Sequence, residues 1–537
     1  MSSGPPRWNG WSADGDAPAL AAHVAEMLAS RIGEGRPSRD AELKDVVARV
    51  GEGRLPAHPL VDGGAEERVR HACGQSFPDW VALRSGRLGA VPDGVARPTD
   101  GGAVRDLLTY AASVGARIIP YGGGTSVVGG VTPSDDGAVP TLTVDLRGLA
   151  GLRRLGASSG LATFGAGTVG PAIESALRER GWTLGHHPQS FERSTLGGWV
   201  ATRSAGQRSL GFGRIEDLFA GGTLEAPAGT IELPAHPASA AGPDLRHLVL
   251  GSEGRLGILT ETTVRAVPLP QSESMTALFL PSWEVALTFA RDLVQARIPL
   301  TMVRVLSPME TEVSLALAGS AGRSGLVTRY LDFRNMKDGR CLMILWFAGR
   351  RRVISSAQRE VSDLARSRRA LGVGGAVAYA WRRNRYRSAA LRDTLWAAGY
   401  GLDTIETATD WARLPALQAA IEGGIAEAAS AAGERALTFG HVSHPYPTGG
   451  NLYTTVVFRL SGDPDETLGR WRAMKAAASA AIVEHSATIS HQHGVGRDHA
   501  AALPSEKGPL GMQLLSDVAR RLDPDGLMNP GALLDDG

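Results

Sequence analysis

Tyr121-Gly-Gly-Gly-Thr-Ser-Val-Val-Gly-Gly130 follows directly on the apolar run Arg117-Ile-Ile-Pro120. Three consecutive glycines accept positive φ and carry no Cβ, so successive N–H groups can turn into one concavity and a diphosphate can approach the main chain. Thr125 and Ser126 add hydroxyl donors. The loop is not Gly-x-Gly-x-x-Gly opening a helix, so a Rossmann dinucleotide site is a poor match. It also lacks the Gly-Lys-Ser/Thr of a nucleoside-triphosphate loop. On its own it is compatible with a phosphate cradle and with a plain hairpin turn.

Three further loops have the same make-up: Ser194-Thr-Leu-Gly-Gly198-Trp, Thr202-Arg-Ser-Ala-Gly206 and Gly251-Ser-Glu-Gly254-Arg-Leu-Gly257. Glycine and hydroxyl residues dominate each of them. Across the chain, 68 of 537 residues are glycine, well above the usual share of about 7%. Four such loops are poorly explained as independent turns. One extended ligand lying across several backbones accounts for them better, because a dinucleotide offers two phosphates, two sugars and two ring systems.

Composition bounds the rest. A chain of 537 residues exceeds one ordinary core and predicts about three domains, or two large ones. Hydrophobic residues at 43% and charged residues at 21% exclude wholesale disorder. Lys+Arg 56 against Asp+Glu 55 leaves a charge of +1, which gives no electrostatic footprint for nucleic acid or an anionic membrane. Cys73 and Cys341 build neither a disulfide framework nor a thiolate metal cage, which fits a reducing cytoplasm. Residues 1–15 are polar, the chain does not end in a peroxisomal tripeptide, and no run approaches ~18 uncharged apolar residues. The expectation is a cytoplasmic protein with no spanning helix and with scope for peripheral membrane contact.

Residues 1–86 are charged and Ala-rich, with helical spacing in 20–32, 41–50 and 66–83, and are expected to form a helical N-terminal arm. Pro98-Thr-Asp100 opens a helix whose apolar residues Val104, Leu107, Leu108 and Ala111 fall at i, i+3, i+4 and i+7, and Gly115 ends it. Strands at 117–120, 141–146, 161–164 and 257–267, with a helix at 169–180, make a mixed pattern and no regular βαβ repeat. Pro268-Leu-Pro270 marks a boundary. Beyond it, 271–480 alternates strands (276–280, 342–347, 452–458) with long helices (283–296, 354–370, 468–483), the pattern of an antiparallel α+β region. The C-terminal piece 481–537 carries a His-rich strand at 487–493, a helix and a Pro-Asp-Gly turn.

The first loop, Glu192-Arg-Ser-Thr-Leu-Gly-Gly-Trp-Val200 and Leu250-Gly-Ser-Glu-Gly-Arg-Leu-Gly-Ile-Leu-Thr-Glu261 together resemble the FAD-binding domain of the vanillyl-alcohol oxidase/p-cresol methylhydroxylase superfamily. The resemblance implies an α+β fold: a helical N-terminal arm (1–86), a two-subdomain FAD-binding domain of the p-cresol methylhydroxylase (PCMH) type (87–270), an α+β substrate or cap domain with an antiparallel sheet (271–480), and a C-terminal segment returning to the flavin (481–537). It assigns FAD binding to Pro120, Tyr121, Gly122, Gly123, Gly124, Thr125 and Ser126 in the first loop. Gln189, Ser190, Ser194, Thr195 and Gly198 follow in the second, Thr202, Arg203, Ser204 and Ala205 in the third, and Gly251, Ser252, Glu253, Gly254, Gly257 and Ile258 in the fourth. Family members often tether the flavin through a histidine in the first loop. Gly124 and Thr125 stand there in this chain, so non-covalent FAD is expected.

Within that superfamily the chain resembles the alkyldihydroxyacetonephosphate synthase family nearly end to end. The resemblance rests on Arg7-Trp-Asn-Gly-Trp11, Gly197-Gly-Trp-Val-Ala-Thr-Arg203, Arg214-Ile-Glu-Asp-Leu218, Ile405-Glu-Thr407 with Trp411, and Ile489-Ser-His-Gln-His-Gly-Val-Gly496. It implies exchange of the acyl chain of acyl-dihydroxyacetone phosphate for a fatty alcohol through an adduct on flavin N5, with a homodimer as the expected assembly. Tyr453, His491, His493 and Arg392 take the catalytic places. Arg304, Arg392, His491 and His493 are the expected anchors for an anionic small-molecule or lipid substrate, an ion pair being the equal reading for Arg304. As a strand, 487–493 would project His491 and His493 to one face and Gln492 to the other. The family motif has three histidines. Gln492 stands in the middle place, an amide that hydrogen-bonds but does not exchange protons at neutral pH.

The rival is a flavin-dependent dehydrogenase of small 2-hydroxy acids of the lactate or glycolate type, whose relatives hold a divalent metal through a His-x-Gly-Asp-Gly-Asn-x-His-like and a Glu-His-Gly segment. His441 and Asn451 survive here, but Tyr453 and Gln492 replace an imidazole and a carboxylate, and His441 with His444 makes a weak cage. No metal is expected, and oxidation of such an acid would be metal-free. A third reading, a flavoprotein without activity, has Gln492 as its one pointer.

Overall fold

The helix expected after Pro98-Thr-Asp100 runs Gly101–Val114 in the computed structural model, and the Asp100 side chain caps it by accepting the Ala103 N–H at 2.9 Å. Its buried stripe, Val104, Leu107, Leu108 and Ala111, packs on a four-stranded sheet. Residues 7–12, 19–134, 137, 139–318, 329, 331, 334, 336, 339–386 and 389–534 are described. The polar start and the chain end discussed above lie partly outside them. Among the described residues, Thr141–Asp145 pairs in parallel with Arg117–Tyr121 on one side and Gly94–Ala96 on the other, and Val61–Asp62 adds an antiparallel edge beside Gly94–Ala96. The C-terminus returns to this sheet, where Ile118 donates to the Leu527 carbonyl at 2.7 Å and Asn529 donates back to the Ile118 carbonyl at 2.8 Å.

A second, antiparallel sheet of five strands follows in the order Leu152–Gly156, Leu161–Gly165, Ile258–Arg265, Phe219–Ala226, Gly229–Leu233. Phe164, Trp199 and Phe219 fill its core beneath the short helix Leu196–Ala201, and the helix Leu503–Leu522 closes against it.

Beyond residue 270 lies an antiparallel sheet of seven described strands, ordered Leu371–Gly374, Ser272–Leu280, Cys341–Gly349, Met302–Leu306, Ala436–Val442, Gly449–Arg459, Tyr400–Asp410. Cys341–Gly349 shows why alternation is missing from its sequence. Met343, Leu345 and Phe347 face the helices Trp283–Gln295 and Arg351–Ser367, while Leu342, Ile344 and Trp346 face a second core behind them. Both faces are covered, so both must be apolar.

The N-terminal region differs from a simple helical arm. It contributes the strand Val61–Asp62, and the helix expected at 66–83 divides into Ala65–Arg70 and Phe77–Ser85. The division follows from Ser76, whose hydroxyl accepts the Asp79 N–H at 3.2 Å while Asp79 accepts the Ser76 N–H at 3.1 Å. Phe77 and Trp80 then pack against the strands and helices of the seven-stranded sheet. The expected strand at 487–493 is also absent: residues 487–495 form a bent loop. None of the helices of the described residues is long and apolar enough to cross a membrane.

Candidate active site

The glycine loop lies flush against the segment that carries Ser194 and Thr195. A Cβ on Gly122 would press on the Thr195 hydroxyl and one on Gly123 would run into the Arg193 carbonyl, while Gly124 takes a left-handed φ of 64° under the Tyr121 ring. Ser126 holds the far side of the turn by accepting the Gly130 N–H at 2.9 Å. Thr195 caps the helix Leu196–Ala201, and Trp199 donates its indole N–H to the Ser194 hydroxyl at 2.7 Å.

In front of this surface is a cleft of about 1250 Å³. One wall is Gly122, Gly123, Gly124, Thr125, Ser126, Gln189, Ser190, Ser194, Thr195, Gly198, Thr202 and Ser204, all expected cofactor residues. The other is Trp11, Arg392, Tyr453, Gln492 and His493. Loops some 370 residues apart in sequence meet here.

Other expected cofactor residues lie elsewhere. Tyr121 turns to a neighbouring cleft, its hydroxyl donating to the Cys73 carbonyl at 3.3 Å. Arg203, Gly251, Ser252 and Glu253 line a separate cleft of about 1560 Å³ that also reaches Thr202 and Gln492. The Glu253 carboxylate is taken by the N–H groups of Val495 and Gly496 at 2.5 and 2.7 Å, although burial pushes its pKa up to about 7. Pro120 packs on Gly254, and Gly257 leads into the strand whose first residue, Ile258, is buried in the core. Ala205 donates its N–H to the Gln492 side-chain oxygen at 3.2 Å.

The catalytic side is organised by a residue the sequence reading passed over, Glu406. It sits in the strand Tyr400–Asp410, opposite Tyr453 in Gly449–Arg459, which in turn lies opposite His441. Its buried carboxylate receives Asn451 Nδ2 at 2.7 Å and Gln492 Nε2 at 2.7 Å. His491 Nδ1 lies 2.8 Å from Oε1, and His493 Nε2 lies 3.4 Å from Oε2. Burial works to raise this carboxyl, but the charge and hydrogen bond of His491, with His493 and His444, hold it well below the usual carboxylate range. The expected alternation of His491 and His493 against Gln492 is therefore corrected. All three side chains turn to one carboxylate, which replaces a strand ladder as the partner of this segment.

The two histidines nevertheless face different spaces. His493 lines the 1250 Å³ cleft, whereas His491 lines the 1560 Å³ cleft and meets the Tyr446 hydroxyl at 2.7 Å through Nε2. Tyr453 stacks on His441 at 4.7 Å and meets His493 edge-on at 5.6 Å, and burial raises its phenol pKa. Arg392 lies 4.5 Å over the Trp80 ring and donates through Nη1 to the Gln75 carbonyl at 2.6 Å. Its Nη2, although buried, has no partner among the described residues. Arg304 is placed otherwise than expected for a substrate anchor: its guanidinium pairs with Glu310 at 2.9 Å, and Glu310 also holds His441 at 2.8 Å, behind Tyr453.

Glu406, Tyr446 and Trp11 escaped sequence reasoning as site residues. Glu406 lies between Ile405 and Thr407 with Asp403 and Asp410 close by, so no local signal set it apart as the buried acid. Tyr446 sits in a Pro-rich turn and carried none.

The site fits a flavin dinucleotide: a main-chain cradle with hydroxyl donors on one wall, and aromatic, amide and imidazole groups on the other. A model of FAD binding domains matches residues 92–233, and one of the C-terminal domain of FAD linked oxidases matches 269–533. Alkyldihydroxyacetonephosphate synthase of Dictyostelium discoideum is 30% identical over 478 residues, covering 87% of this chain and 77% of its own. A solved alkyldihydroxyacetonephosphate synthase has a TM-score of 0.82 at 25% identity over 98% of each chain. The p-cresol methylhydroxylase structure shares the fold, with a TM-score of 0.67 at 12% identity over 89% of this chain and 94% of its own. The cofactor is FAD, and the chain belongs to the alkyldihydroxyacetonephosphate synthase family of FAD-dependent enzymes.

Proposed function

We propose that this enzyme exchanges the acyl chain of acyl-dihydroxyacetone phosphate for a fatty alcohol, with FAD held non-covalently. One observation carries the reading: the glycine cradle and the Arg392–Tyr453–His493 wall line the same cleft. Gly122 to Ser126, Ser194, Thr195 and Thr202 would hold the FAD, which when bound supplies an electron sink that side chains lack. Arg392, with one face on Trp80 and Nη2 without a partner among the described residues, offers a charge-assisted donor to the substrate phosphate. The Tyr453 phenol stays protonated, since burial raises its pKa, and donates to an oxygen beside it. His493 stays neutral near pH 7, because burial lowers its pKa, so it can accept the proton that the alcohol loses. The proposed working units are an FAD-binding domain (87–270), a cap (271–480) and the returning segment 481–537, acting as a cytoplasmic homodimer. Both cysteines are free and buried, in keeping with that compartment.

The test is incorporation of labelled fatty alcohol into acyl-dihydroxyacetone phosphate by FAD-loaded protein, with release of one fatty acid per ether formed. No incorporation, together with anaerobic bleaching of the flavin by a 2-hydroxy acid, would replace this reading with the dehydrogenase.

A further inference from the structure

The Glu406 carboxylate has three hydrogen-bond partners, Asn451, Gln492 and His491, and a fourth polar neighbour, His493, at ion-pair distance, and the donor and acceptor senses follow one by one. Asn451 Oδ1 accepts the N–H groups of Ser443 at 2.9 Å and His444 at 2.7 Å, which fixes its amide nitrogen toward Glu406. Gln492 is fixed in the same way, since its oxygen accepts the Ala205 N–H at 3.2 Å and its nitrogen therefore donates to Glu406 Oε2. An ionised carboxylate only accepts. His491 Nδ1, hydrogen-bonded at 2.8 Å, must then carry an N–H, and for His493 the negative charge 3.4 Å from Nε2 favours the proton on that nitrogen. In the neutral ring the lone pair of His491 is left on Nε2, where Tyr446 donates its hydroxyl at 2.7 Å. The lone pair of His493 is left on Nδ1, on a ring that lines the reaction cleft.

We infer that Glu406 is the positioning residue of this site: it fixes His493 as the Nε2–H tautomer, with Nδ1 as the base that takes the alcohol's proton, and fixes His491 as the opposite tautomer, committed to Tyr446 and outside the reaction. The inference rests on the transfer reading given above. In the step assigned to His493, the alcohol O–H bond breaks as the ether C–O bond forms. The proton goes to Nδ1, and the fatty acid leaves as its carboxylate. Gln492 completes the carboxylate's shell without adding a third titrating ring, so a single imidazole serves the cleft.

Long-range proton–nitrogen correlation spectra of full-length protein labelled with nitrogen-15 at histidine test the assignment without substrate. His491→Gln and His493→Gln identify the resonances. The expected result is Nε2–H for His493 and Nδ1–H for His491 in the native chain. In Glu406→Gln the His493 preference should be lost and kcat for exchange should fall about 10²–10³-fold, the span of a misplaced general base. KM should change little, and Glu406→Asp should recover part of kcat. An Nδ1–H tautomer for His493 in the native chain overturns the inference, as does a Glu406→Gln enzyme with unchanged kcat. If Glu406→Gln does not fold, the native spectrum still decides. If the native protein shows these tautomers but no alcohol incorporation, the transfer reading fails and the arrangement around Glu406 stands.

Discussion

At the scale of single residues, close approach decides Gly123 and an open donor decides Arg392. Gly123→Ala would force a methyl into the Arg193 carbonyl, so the variant should be purified with a flavin-to-protein absorbance ratio near zero. A normal ratio would show that the cradle tolerates a side chain. Arg392→Lys keeps the charge but loses the planar fork on Trp80 and the second donor. KM for the phosphate-bearing substrate should rise about 10-fold, the worth of a lost charged hydrogen bond, and initial-rate kinetics would show it. The glycine loops were legible in the sequence because their function demands an unusual composition. Glu406 was not, because nothing local marks a strand acid as buried: its partners Asn451, Gln492, His491 and His493 come from two segments 45 to 87 positions away. Gln492 was visible as a departure from the family, but its part as a strut between Ala205 and Glu406 needed both partners in view.

Elements whose periodicity answers to a single apolar face were read almost residue for residue. The helix Gly101–Val114 shows one buried stripe and a side-chain cap, and Trp283–Gln295 buries Ala286, Phe289, Ala290 and Leu293 on one side under the Ser282 cap. Elements with other partners were not. The strand Ala436–Val442 lies inside the large sheet and Tyr400–Asp410 along its edge, and in both of them covered faces erase the alternation that marks a half-exposed strand. Residues 487–493 had a strand-like pattern, but their hydrogen bonds go to a side chain. The short helix Phe77–Ser85 depends on its capping box. Ser76→Ala should cost about 1 kcal/mol of stability in denaturant melts and should loosen Trp80 beneath Arg392. An unchanged midpoint would mean that packing of Phe77 alone defines this helix.

For the whole molecule, the N-terminal signature acts as a clasp. Asp393, buried in the helix Leu391–Ala397, accepts the N–H groups of Trp11 at 3.1 Å and Ser12 at 2.8 Å and pairs with Arg84. The Trp11 side chain reaches the reaction cleft. Asp393→Ala would leave the buried Arg84 with Asp40 alone and strip the acceptor from the Trp11 and Ser12 N–H groups, at a cost of about 1–3 kcal/mol. Limited proteolysis should then open the N-terminal region first, and resistance equal to the native chain would contradict the clasp. A pH dependence follows from Asp498, whose carboxyl is raised by burial to about 7 and whose Oδ2 has no partner among the described residues. The fold favours its protonated form, so that stability is full below the ordinary value of 3.8 and is lost as pH rises through about 7. Asp498→Asn should therefore melt with the native chain at pH 4 and above it at pH 8, by about 2 kcal/mol once partial solvent screening is allowed for. An equal difference at both pH values would remove this group from the account. The measurement closest to the central claim is a crystal structure of the chain grown with FAD. We predict the coenzyme in the cleft between Gly122–Ser126 and the wall of Arg392, Tyr453 and His493, whereas a chain that takes up no FAD, or holds it wholly in the cleft beside Arg203 and Gly251, would contradict the account.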